Sequence, residues 1–160
     1  MGAACRRFNR LIIDLHVRIG LRMPDGFPPA AGEPARVELE WRGVRFRIGH
    51  DPALDATSVV VQSVYGMPQH GQAQEILVRL LEVNLVLALK RAGVSFGMDA
   101  DSGEVVYVFI GSLSTVTGAS LFEAMKLAAV HALHWRDTFL LGDPFRAASA
   151  GAADPNVTHV

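Results

Sequence analysis

The chain has 160 residues, 50% of them hydrophobic and 19% charged, with a formal net charge of −1. The length predicts a single domain that can bury roughly two-thirds of its unfolded surface. The charge balance excludes a strong field for nucleic acid or an anionic membrane, and the single cysteine, Cys5, excludes an intrachain disulfide or a cysteine-built zinc cluster.

From Phe8 onward, Leu11, Ile12, Leu15 and Ile19 recur at helical spacing, which predicts an amphipathic helix with Gly20 as its C-cap. Arg6, Arg7, Arg10, Arg18 and Arg22 make this end of the chain basic against Asp14 and Asp25, the pattern of a solvated helix face. Asp14, His16 and Arg18 interrupt the apolar run that a signal peptide would need, so a cytoplasmic, reducing environment is expected. "MPDGFPPAAGEP" follows, a loop too rich in Pro and Gly to stay helical.

"VELEWRGVRFRI" predicts a β-hairpin. A two-residue turn at Arg42-Gly43 sets Glu40 opposite Arg45 and Glu38 opposite Arg47 on the wet face. It sets Leu39 opposite Phe46 and Val37 opposite Ile48 on the core face. Charge pattern and apolar pattern select the same register. Val37 to Trp41 enters from a long loop, so it is expected to be an edge strand. "TSVVVQSVYGMP" is apolar on both faces, which suits a central strand.

"EILVRLLEVNLVLALKRAG" reads as a helix with two apolar arcs. At about 100° per residue, Ile76, Leu80, Val83 and Leu87 share one arc roughly 60° wide. Val78, Leu81, Leu85 and Leu89 fall on roughly the opposite side. Such a helix must be covered twice. A membrane span needs about 20 apolar residues, and Arg79, Glu82 and Asn84 interrupt this one. Asn84 has two readings: a hydrogen bond to a nearby loop, or a register-setting contact across a dimer.

"VSFGMDADSGEVVYVFIGSL" predicts a short strand, a turn and a long strand. In the last helix Ser120 and Glu123 are expected to form a capping box. Leu121, Met125, Ala128, Ala132, Trp135 and Phe139 make its buried stripe, and Gly142 with Pro144 ends it. The expected organisation is one domain over 1–142 and a disordered Ala/Gly/Pro-rich tail over 143–160. The order α-β-β-β-α-β-β-α predicts an α+β fold, an antiparallel twisted sheet with helices packed on it.

Catalytic motifs are sparse. His131 and His134 stand at i, i+3 without a third metal ligand, and His50-Asp51 has no partnering nucleophile. "DADSGE" lacks the EF-hand ligand pattern and reads as a hairpin turn. No phosphate-binding glycine loop and no nucleophile elbow occurs. Asn156-Val157-Thr158 matches a glycosylation sequon but lacks a secretory context. Trp41 and Phe46 belong to the core face, so no aromatic platform for RNA is expected.

From Phe8 to Leu141 the sequence resembles the small dimeric chaperones of bacterial type III secretion, the CesT/Tir-chaperone-like class. The resemblance is carried by "FNRLI", the charged hairpin, "LLEVNL", "GVSFGMDADSGEVVYVF" and "AVHALHWR" in the family's order. It implies a cytoplasmic bacterial homodimer, neither an enzyme nor cofactor-dependent, with no metal, nucleic-acid or membrane partner. Its partner would be a secreted effector, held by its N-terminal segment in extended form and kept competent for secretion and virulence. The second arc of the middle helix would meet its symmetry mate through Val78, Leu81, Asn84, Leu85 and Leu89. A segment of low charge would lie between the first helix and the edge strand, against Leu15, Ile19, Val37, Leu39 and Trp41. Two alternatives remain at this point: a dimeric interaction module of the same fold unrelated to secretion, and a small His/Asp enzyme.

Overall fold

Ala3 to Ile19 form the first helix, α1, of a computed structural model that describes residues 2–30, 32–90 and 93–140. The tail over 143–160 and the sequon at Asn156 lie outside the described residues, as do Gly142 and Pro144, but the last helix, expected to run to Gly142, already ends at Thr138. Gly20 ends α1 in the left-handed conformation (φ 70°), and its amide and that of Leu21 both donate to the His16 carbonyl. Phe8, Leu11, Ile12 and Leu15 form the buried face of α1.

β1 (Ala35–Trp41) and β2 (Val44–His50) pair antiparallel through Arg42 and Gly43, both at positive φ (51° and 73°). That is the two-residue turn whose twist matches the strands it joins. The register is the one selected by charge and hydrophobicity: Glu40 opposite Arg45, Leu39 opposite Phe46, Glu38 opposite Arg47, Val37 opposite Ile48. β3 (Ser58–Gly66) is followed by α2 (Ala73–Leu89), β4 (Val94–Met98), β5 (Val105–Ser112) and α3 (Gly118–Thr138).

The sheet is antiparallel throughout, in the order β1-β2-β3-β5-β4. β3 is central, as its two apolar faces require. The architecture is α+β, with α1 and α3 packed on each other and α3 on β2 and β3, while α2 lies against β4. A bulge between Val64 and Gly66 disrupts the β3 ladder, and Tyr65 is buried there. The stripe from Leu121 to Trp135 on α3 is buried as expected.

Two expectations need correction. The capping box of α3 is Thr117 with Ser120: the Thr117 hydroxyl accepts the Ser120 amide at 3.1 Å and the Ser120 hydroxyl accepts the Thr117 amide at 3.0 Å. Glu123, the expected partner of Ser120, pairs with Lys126 at 2.8 Å instead. The helix starts earlier because Gly118 is pressed onto α1. A Cβ at Gly118 would stand 2.3 Å from Asp14 Oδ2 and 2.9 Å from the Leu15 amide nitrogen, so only glycine permits this crossing. Phe139, expected in the stripe, is the left-handed C-cap of α3 and packs edge-on to Trp135.

Candidate client and dimer surfaces

Hydrogen-bond parity along the sheet decides which backbone groups reach its edges. A two-residue hairpin closes on a hydrogen-bonded pair, here Trp41 with Val44. Leu39, Val37 and Ala35 therefore also bond toward β2. Arg36, Glu38 and Glu40 turn their N–H and C=O groups outward, where no described residue pairs with them. The same alternation, carried across β2, β3 and β5, turns Phe96 of β4 outward at the far edge. There the parity is verified. The Phe96 amide donates to Asn84 Oδ1 at 2.7 Å, and Asn84 Nδ2 donates to the Phe96 carbonyl at 2.9 Å. The Asn84 carboxamide acts as one residue of a missing strand.

Asn84 thus serves β4, the strand that follows α2, rather than a loop. Ile76 and Leu80 bury the start of the first arc of α2, and Val83 and Leu87 continue it, half-buried, along an open groove of about 450 Å³ between α2 and α3. Tyr65, Phe96, Tyr107 and Trp135 line the same groove. Burial holds the Tyr65 and Tyr107 hydroxyls above the ordinary phenol range, so both stay protonated donors at neutral pH. His131 and His134 are exposed at its rim, and among the described residues no cluster that could hold a metal forms.

Among the described residues nothing covers the second arc of α2. Val78 is 52% exposed, Leu81 68%, Leu85 62% and Leu89 76%. Such a contiguous apolar face is rare on a monomer's surface.

At the β1 side, Leu15, Val37 and Leu39 are fully built into the core, whereas Ile19 and Trp41 are half-buried at its rim. Trp41 meets Phe122 of α3 edge-on at 5.3 Å, and the Arg42 guanidinium lies over its ring at 4.7 Å. Arg136 of α3 donates to the carbonyls of Tyr65 (2.8 Å), Val64 (3.2 Å) and Gly43 (2.8 Å), bracing both the bulge and the hairpin turn. Neither Arg136 nor Phe122 stands out in the sequence. Only the basic character of the last helical turn hints at Arg136.

On the wet face, Arg47 bonds Asp99 and lies 3.5 Å from Glu38 and 3.8 Å from Glu104, and Arg45 lies 2.5 Å from Glu104. Glu40 loses its register partner to this cluster. The Arg47 hydrogen bond, then the Ser102 and Asp101 amides, hold the Asp99 carboxyl below the usual carboxylate range. "DADSGE" is accordingly the β4–β5 turn, with Asp99 Oδ1 accepting two of its amides. His50 is buried, its Nδ1 2.9 Å from the Ser58 carbonyl, while Asp51 accepts the Ala53 amide at 2.9 Å, so the pair does not converge on a shared reactant.

No helix among the described residues is long and apolar enough to cross a membrane. No family model and no curated relative matches the chain. Solved structures do. A chain of the ExsC–ExsE complex matches with a TM-score of 0.65 at 16% identity, over 89% of this chain and 100% of that one. A chain of the HopA1–SchA chaperone–effector complex matches with a TM-score of 0.60 at 13% identity, over 86% and 98%. A chain from the structure of the Yersinia pestis type III secretion chaperone SycH with a stable fragment of YscM2 matches with a TM-score of 0.56 at 13% identity, over 79% and 98%. Identity this low speaks for architecture rather than for partners. The chain has the fold of the type III secretion chaperones.

Proposed function

We propose that this protein is a cytoplasmic, non-enzymatic chaperone that works as a homodimer. It binds the N-terminal segment of a type III secreted effector in extended form and keeps it competent for secretion. One observation carries the reading: in a fold shared with chaperones solved in complex with other chains, one sheet edge has no pairing strand among the described residues. Backbone addition at β1 supplies affinity without ATP or a catalytic residue. Arg36, Glu38 and Glu40 offer the hydrogen bonds. Ile19 and Trp41 offer the accessible apolar rim, and Leu15, Val37 and Leu39 shape the site from within the core. The dimer follows from the second arc, where Val78, Leu81, Leu85 and Leu89 each gain roughly 1.5–3 kcal/mol on burial. The two copies would meet through the same surface, with Asn84 fixing β4 beneath it.

Light scattering on the purified chain tests the dimer, with a mass of twice 17.3 kDa expected. Co-expression with an effector encoded beside it tests the client. The expected complex keeps the effector's N-terminal segment protease-resistant and its folded remainder unaffected. A monodisperse monomer that leaves the segment digestible would refute the proposal.

A further inference from the structure

We infer that the free β1 edge selects extended segments with basic residues at two positions two apart and an apolar residue between them. This rests on the reading of β1 as the client edge and adds a sequence preference to it. A client residue that exchanges hydrogen bonds with Glu40 places its side chain on the face of Glu40, and the residue two further along does the same at Glu38. That face is already ordered by charge, with Glu38 and Glu40 on β1 and Arg45 and Arg47 on β2. Asp99 and Glu104 draw both arginines toward the β4–β5 turn. Glu40 is exposed and has no ion-pair partner among the described residues, and the Glu38 side chain, 50% exposed, is 3.5 Å from Arg47 and 4.0 Å from Arg45. The next strand outward therefore meets two carboxylates with capacity for a cation. Lysine or arginine opposite them is attracted, and aspartate or glutamate is repelled.

The intervening client side chain points to the other face, alongside Leu39 and the half-buried rim at Trp41, so it is apolar. At Arg36 the sign reverses, and a neutral or acidic residue fits. The low-charge segment expected from sequence is thus narrowed to an amphipathic strand, apolar on one face and basic at Glu38 and Glu40 on the other.

The test uses short synthetic peptides with apolar residues at alternate positions and either lysine or glutamate at the two positions set between them. Binding to the full chain is followed by fluorescence anisotropy at low and high salt. The lysine peptide should bind about tenfold more tightly than the glutamate peptide, with the gap shrinking at high salt. Glu40→Lys should narrow or invert the preference, and Glu40→Gln should fall between. Both sit at an exposed position, and circular dichroism checks that the fold is kept. A lysine peptide N-methylated on the amides that face β1 should not bind. Equal affinity of the two peptides, with N-methylation still abolishing binding, overturns the charge preference while the client edge stands. Binding indifferent to N-methylation, or none by any peptide, overturns the client edge itself.

Discussion

The two edges of the sheet are treated oppositely by the same chain. At β4, Asn84 inserts a side-chain amide where a neighbouring strand would be, satisfying both outward groups of Phe96. At β1, three residues present outward backbone groups that no described residue meets. An unprotected edge invites aggregation, and charged side chains are a common defence. Glu38 and Glu40 supply that defence without covering the backbone. The difference teaches that α2 closes one edge through a single side chain and keeps its second apolar arc exposed, whereas the backbone groups of the β1 edge stay open among the described residues.

Substitutions can break this contrast. The largest effect is expected from Leu85→Asp, which puts a charge in the middle of the uncovered arc. Burying an unpaired charge costs several kcal/mol, so light scattering should show monomer or aggregate. A stable dimer would move the interface elsewhere. Asn84→Leu should come next. It leaves the Phe96 amide and carbonyl unpaired at a half-buried site, at about 1–3 kcal/mol for each group. Chemical denaturation should show a loss of about 2–6 kcal/mol, and hydrogen exchange should quicken at Phe96 but not at Leu39. Uniform exchange would mean that the β4 edge has another guard.

Gly118→Ala should cost about 1–3 kcal/mol through overpacking where α3 crosses α1. It strains the helical layer without touching either edge. Client binding at β1 should therefore weaken less than after blocking the edge itself, and titration calorimetry beside thermal melting separates the two.

The smallest effect concerns the ion pairs that span the wet face. The Asp99 pKa is depressed in the folded state, so its contribution is present above the ordinary carboxylate value near 3.8 and is lost as pH falls through the lower folded value. Asp55 acts in the same direction. Hydrogen bonds from Ser58 and Thr57 lower its pKa to about 2, and that stabilisation fades from about pH 4 toward pH 2. Melting temperatures should drop across that window, and Asp99→Asn should flatten part of the slope. An unchanged slope in Asp99→Asn would show that the Arg47 clasp contributes nothing.

The sequence by itself determined what depends on neighbours a few residues apart. The hairpin register was legible because Arg42-Gly43 permits the tight turn while the apolar and charged residues on either side alternate in phase. The first arc of α2 was legible because helical geometry is local, and Ile76 and Leu80 are buried as that arc requires. Gly20 marked the end of α1 for the same reason. Tertiary structure decided what depends on distant partners. Arg45 leaves Glu40 for Glu104, which lies 59 residues away in the chain but meets it on the same face of the sheet. The start of α3 shifts to Thr117 because Gly118 must pass close to Asp14. Leu15, Val37 and Leu39 lie within the core while Ile19 and Trp41 stay at its rim. No alternation pattern separates those cases, since all five are apolar on the same predicted faces. Strand order made β4 the second edge and gave Asn84 its partner. Pattern fixes which face a side chain shows, but only the packing of the whole chain fixes what stands opposite that face.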